Sequence, residues 1–276
     1  MFVVAFLKFT MSLLHLIFDS LILNWEIITL FFLIAILYSS VGFGGGSSYL
    51  AVLTLTALGF VQIRAIALLC NIVVVAGGSI LYLKNGYFNF KKIFPLVLSS
   101  IPMAFLGGYI KISKTFFFIL LGITLLIASY LMYTSKKINL NNKLLTFQKS
   151  TAKDITYGGI IGFISGMVGI GGGIFLAPLL HLTNWDTPKR IAATTSFFIL
   201  VNSIAGLTGQ SLNPSFYIET YLTIILMVTV FIGGQIGSRI SIKLISPHNL
   251  KKATSVLIAL VSIRILWKYI FQIYFS

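Results

Sequence analysis

Long apolar runs alternate with short polar, basic connections along the whole chain. Glu26 to Phe43, Ile66 to Leu83, Phe94 to Ile110, Thr115 to Tyr133, Ile218 to Ile236 and Ala253 to Trp267 are each about the length that spans roughly 30 Å of hydrocarbon. They predict several membrane helices. Met1 to Leu23 is also apolar but is interrupted by Lys8, His15 and Asp19 and lacks a small-residue cleavage site. Residues 1–25 therefore read as an uncleaved N-terminal helix, with spanning and surface-lying placements both open.

The pattern repeats. Val41-Gly42-Phe43-Gly44-Gly45-Gly46 returns as Val168-Gly169-Ile170-Gly171-Gly172-Gly173, and the same spacing, less one residue, pairs Arg64 with Arg190. It then pairs Phe105-Leu106-Gly107-Gly108 with Phe231-Ile232-Gly233-Gly234. Such internal repeats recur in secondary transporters. Residues 26–133 form the first membrane repeat, 134–154 a polar, lysine-rich linker, and 155–276 the second repeat.

Each repeat predicts a broken segment, about Glu26 to Gly59 and Ile155 to Trp185, followed by three continuous helices. Glycine is permissive at dihedrals that a helix forbids, so G-x-G-G-G should unwind the chain. Arms of roughly 13 to 15 residues then reach about 20 Å at a rise of 1.5 Å, too short to cross alone. Each segment is either one kinked span or a re-entrant hairpin.

Charge separates these. Single crossings divide the basic residues evenly between the faces. Re-entry collects Lys84, Lys91, Lys92, Lys136, Lys137, Lys143, Lys149, Lys153, Lys189, Arg190, Arg239, Lys243, Lys251 and Lys252 on one face and leaves Arg64, Lys111, Lys114 and Lys268 on the other. That bias is the positive-inside pattern. The predicted fold is an all-α polytopic membrane protein of two inverted repeats, each a Gly-broken re-entrant or discontinuous helix plus three transmembrane helices, with the 134–154 linker cytoplasmic.

Composition agrees with a bilayer as solvent. Of 276 residues, 58% are hydrophobic and 9% charged, with mean hydropathy +1.01, against about a quarter charged in soluble domains. A net charge of +15 would suggest nucleic acid in a soluble chain, but here the charge sits in the connections and no zinc spacing, basic helix or RNA-binding motif accompanies it. One cysteine, Cys70, excludes a disulfide framework or a metal–thiolate cluster. The glycines lack the strand, helix and downstream acid of a dinucleotide site. No catalytic constellation, metal site or cofactor is indicated.

Unwound backbone inside a membrane is tolerated where it lines a polar cavity or is buried in protein. Helices restarting after Gly46 and Gly173 leave free amides and a positive dipole end, a ready anion site. Gly44, Gly45, Gly46, Gly171, Gly172 and Gly173 are thus candidate substrate-binding residues, with Ser47 and Ser48 adding hydroxyls on the first side only. Asn71, Thr194, Thr195, Ser196 and Asn202 are polar positions within apolar spans and join them. Gly107-Gly108 and Gly233-Gly234 are assigned to helix packing. Gln210 sits too near a predicted end to rank. Arg64 and Arg190 precede equivalent helices, where they attract anions or anchor at the interface. His181 is a candidate for proton coupling.

The twin glycine motifs, with Ile174-Phe175-Leu176-Ala177-Pro178-Leu179-Leu180 after the second and then Lys189-Arg190-Ile191-Ala192-Ala193-Thr194-Thr195-Ser196, resemble the TauE/SafE sulfite exporter family. The likeness runs from about residue 30 to the C-terminus. Two departures stand in the first half: Ala51 where Pro178 has its counterpart, and Cys70-Asn71 where the second half has Ser196-Phe197. The resemblance implies a permease for sulfite, organosulfonates or related small anions in a bacterial cytoplasmic membrane. The expected function is secondary transport, with a small anion and the lipid bilayer as partners. A non-transporting scaffold is the alternative, and a homo-oligomer is left open.

Overall fold

The computed structural model describes residues 22–40, 42–134, 151–183, 185–240, 255–256, 259–260 and 262–270. The N-terminal helix expected over 1–25 and most of the 134–154 linker lie outside the described residues. Among those described, the regular elements are helices: α1 Trp25–Ser39, α2 Gly46–Leu53, α3 Phe60–Lys84, α4 Phe90–Tyr109, α5 Lys114–Thr134, α6 Thr151–Val168, α7 Gly173–Leu182, α8 Pro188–Ser211 and α9 Thr220–Ile240. Residues 262–270 are helical as well. Five of these, α3, α4, α5, α8 and α9, are long and apolar enough to cross a membrane. Their outward faces carry Ile80, Leu98, Ile123, Ile204, Val228 and Phe231 exposed, a surface that suits lipid rather than water.

Element ends follow local chemistry. At the start of α3, Gln62 Oε1 accepts the Gly59 amide at 3.1 Å, and α8 starts with Pro188 in its first turn, where a missing N–H is no loss. The two arginines expected ahead of these helices lie instead inside their opening turns, because α3 begins at Phe60 and α8 at Pro188. The arms around the glycines are also unequal: α1 and α6 have 15 and 18 residues, α2 and α7 have 8 and 10. Turns closed by Thr56 Oγ1 to the Leu53 carbonyl and Thr183 Oγ1 to the Leu179 carbonyl, at 2.6 and 2.9 Å, stop the second arms early.

Packing is reciprocal between the halves. α4 lies along α6, where Gly158, Gly162 and Gly166, one per turn, meet the backbone at Leu96, Ser100 and Ala104. Gly107 faces Phe163 and Met167 across the same seam. α9 lies along α1, where Gly233 meets Phe32 and Ala35 and Gly237 meets Ile36 and Ser39. Small residues let membrane helices approach closely enough for backbone van der Waals contact.

The chain doubles back at each glycine break. Tyr49 in α2 stacks on Phe31 of α1 with ring centroids 4.6 Å apart, a contact that a continued straight helix could not make. In the second half the Trp185 indole, just beyond α7, donates to Asp154 in the first turn of α6 at 2.9 Å. This bond sets the residue after α7 beside the first turn of α6. Lys92 at the start of α4 joins this corner, donating to Asp186 Oδ2 at 3.0 Å and to the Trp185 carbonyl at 2.9 Å.

Candidate functional site

The two glycine turns are built alike. At the end of α1, Gly42 (φ 82°) donates to the Ser39 carbonyl at 3.1 Å and Phe43 to the Tyr38 carbonyl at 2.9 Å. At the end of α6, Gly169 (φ 84°) and Ile170 donate to the Ser165 carbonyl at 2.7 and 3.2 Å. Gly45 (φ 90°) and Gly172 (φ 81°) then cap α2 and α7. Both φ values lie in the left-handed region, which costs a residue with a Cβ and suits glycine. Ser48 and Tyr49 donate to the Gly45 carbonyl, as Phe175 and Leu176 do to that of Gly172.

Neither cap supplies a side-chain hydrogen bond. The amides of Gly46 and Ser47, and of Gly173 and Ile174, stand ahead of the first bonds within their helices and lack a helical partner. All four residues are buried. Each of these buried helix starts concentrates about half a positive charge.

Asn71 joins the two turns. Its Nδ2 donates to the Ile170 carbonyl at 3.1 Å, and its amide is the nearest group to where a Cβ would stand on either Gly44 or Gly46. The same Nδ2 lies 3.1 Å from the Cβ position of Gly171. Its Oδ1 is buried with no hydrogen-bond partner. Two hydroxyls in the same condition flank the second turn. The Thr195 methyl lies 3.1 Å from the Cβ position of Gly173, and Ser203 Oγ 2.7 Å from that of Gly171; Thr195 Oγ1 and Ser203 Oγ are both buried and unpartnered. Gly44–Gly46, Asn71, Gly171–Gly173, Thr195 and Ser203 therefore form one cluster. Sequence reasoning missed Ser203, whose place one helical turn from Ile199 on the inner face of α8 was the available signal.

Other expected residues are buried but engaged elsewhere. Ser48 donates to the Tyr38 hydroxyl at 2.7 Å, and Ser196 pairs with Ser79 at 3.1 Å. Asn202 donates to Ser100 Oγ at 3.0 Å and to the Phe198 carbonyl at 2.8 Å, tying α8 to α4. Ser47 and Thr194 are buried within α2 and α8. His181 is half-buried in the last turn of α7.

The arginines differ from one another. Arg64 is 3% exposed and donates from Nη2 to the Gly166 carbonyl at 3.1 Å, neutralising the negative end of the α6 dipole. Arg190 is exposed and lies 3.8 Å from Asp186. Among the described residues no group of three or more His, Cys, Asp or Glu could hold a metal ion.

Five helices long and apolar enough to cross a membrane, among the described residues, make this a multi-pass membrane protein. Residues 27–265 match the family described as "Sulfite exporter TauE/SafE", and the chain belongs to that family. Among curated proteins it is similar to "Probable membrane transporter protein y4hK" of Sinorhizobium fredii, 33% identical over 244 residues that cover 86% of this chain and 96% of the relative. "Probable membrane transporter protein MJ0441" of Methanocaldococcus jannaschii is 27% identical, covering 85% and 92%. "Probable membrane transporter protein YunE" of Bacillus subtilis is 25% identical, covering 59% and 65%. No solved structure matches.

Proposed function

We propose that the protein is a secondary transporter that exports a small anion, of the class of sulfite, organosulfonates and related sulfur oxyanions, across a bacterial cytoplasmic membrane. The observation that carries this reading is the meeting of two uncapped, buried helix starts at Asn71. Free amides and two dipole ends at one point bind anions, and transporters of this architecture place substrate at the repeat interface. Membership of a family of sulfite exporters supports the substrate class.

The architecture proposed is an inverted repeat of two discontinuous, re-entrant segments, each followed by three membrane helices. Support comes from the matched hydrogen bonding of the two turns and from the reciprocal packing of α4 on α6 and α9 on α1. The Trp185–Asp154 bond favours re-entry, since a single crossing would set those residues on opposite membrane faces.

Flux from liposomes containing only the purified chain tests the function. Saturable efflux of sulfite or a small sulfonate is expected. Liposomes no leakier than protein-free ones would overturn it in favour of a scaffold.

A further inference from the structure

Resting on the anion-transport reading, we propose that the ligand is a singly charged oxyanion that also carries a hydrogen-bond donor, an O–H on or beside the anionic group. Two features of the cluster define this class.

The first is charge. Two helix starts, each about half a positive charge, together present about one. The ends of α1 and α6 enter the same turns with about half a negative charge each, and Arg64, bonded to the Gly166 carbonyl in the last turn of α6, offsets those two ends, so that about one positive charge remains. A monoanion balances this site. A dianion leaves one charge uncompensated in a buried place, which is strongly unfavourable.

The second is an acceptor where a simple anion has nothing to donate. The bond from Asn71 Nδ2 to the Ile170 carbonyl fixes which edge of the amide is which. Its Oδ1 is left buried, unpartnered and turned toward Gly44, beside the free amides of α2. A fully deprotonated oxyanion bound at those amides would set its own lone pairs against Oδ1. An O–H donates to it instead. Thr195 and Ser203 do not impose this choice, because a hydroxyl rotates to donate or accept. Asn71 is the specificity-determining residue, and the protonation or hydroxylation of the ligand is what it reads.

Three probes whose charges do not change near neutral pH separate the features: hydroxymethanesulfonate, ethanesulfonate and sulfate, titrated calorimetrically into the purified full-length protein. Hydroxymethanesulfonate and ethanesulfonate match in charge and size and differ by one O–H. The first should bind at least tenfold more tightly than the second, and sulfate more weakly than both. In Asn71→Leu the preference between the two sulfonates should vanish. Should that variant not fold, the ranking on the unaltered protein still decides. Equal binding of the two sulfonates would overturn the donor requirement and leave anion transport standing. Sulfate binding as well as hydroxymethanesulfonate would overturn the charge match. Binding of none of the three would overturn this inference together with the anion reading beneath it.

Discussion

Trp185 donates its indole N–H to Asp154 at 2.9 Å, joining the residue after α7 to the first turn of α6. The bond ties together the two ends of the segment that carries the second glycine turn. Lys92, with Nζ 5.1 Å from the Trp185 ring centroid, and Asp186, only 2% exposed, brace the same corner. The start of α4, the start of α6 and the entry to α8 therefore share one level of the molecule.

Single cysteines test that level directly. Lys153→Cys and Thr187→Cys, both at exposed positions, should react with an impermeant thiol reagent from the same side of the membrane. Ser215→Cys, exposed beyond α8, should react from the other. Native Cys70 is buried and contributes little background. Labelling of Lys153→Cys and Thr187→Cys from opposite sides would mean that α6 and α7 together make one crossing.

Removing the unpartnered hydroxyls distinguishes a binding site from a packed core. A buried hydroxyl without a partner weakens the fold, so Thr195→Val and Ser203→Ala should leave thermal stability unchanged or raise it by about 1 kcal/mol. Substrate affinity should nevertheless fall about tenfold, near 1.4 kcal/mol. Stability and affinity moving in opposite directions is the signature of a ligand-facing group. Unchanged flux in both variants would show that neither hydroxyl meets the substrate.

The two glycine turns were legible in the sequence because left-handed backbone leaves glycine as nearly the only choice, and Asn71 because an amide inside an apolar run must find a partner. The rest depended on contacts distant in sequence. Arg64 reads as an interfacial cation until α6, 102 positions away, brings the Gly166 carbonyl to it. Gln210, discounted for lying near a helix end, is 1% exposed and donates to the Val61 carbonyl at 2.6 Å. Asp154, in the first turn of α6, and Asp186, just before α8, are both buried where α4, α6 and α8 converge. Local pattern specifies a break or a helix; it does not say which neighbour will cover a given side chain.

The same limit applies to the paired glycines. Sequence alone assigns Gly107 to packing, and the structure shows how close that packing is: a Cβ at Gly107 would collide with the Phe163 carbonyl and stand 2.8 Å from the Met167 amide. Backbone cannot yield as a side chain does. Gly107→Ala should therefore force α4 from α6 and cost about 1–3 kcal/mol in a detergent unfolding assay. Gly159→Ala on the same helix pair would meet only Met103 Cγ at 3.8 Å and should be neutral or slightly stabilising. Similar losses in both would mean that the α4–α6 seam does not depend on close backbone approach.

The driving force follows from what the cluster contains. Its positive charge comes from helix starts and buried Arg64, and Asp154 and Asp186 are held in the Trp185–Lys92 corner rather than beside the glycine turns. Nothing in such a site requires a proton to travel beyond any that the ligand itself carries. A negative interior drives anions outward by about 2.3 kcal/mol per elementary charge per 100 mV, so about 60 mV sustains a tenfold gradient of a monoanion. Efflux from proteoliposomes should accordingly accelerate when a potassium-diffusion potential makes the interior negative, with pH equal on both sides. The reversal potential should shift by about 60 mV for each tenfold change in substrate gradient, the slope of one net charge moved. Flux that ignored the potential and followed a pH gradient would overturn electrogenic export, and His181 in the last turn of α7 would then be the residue to replace first.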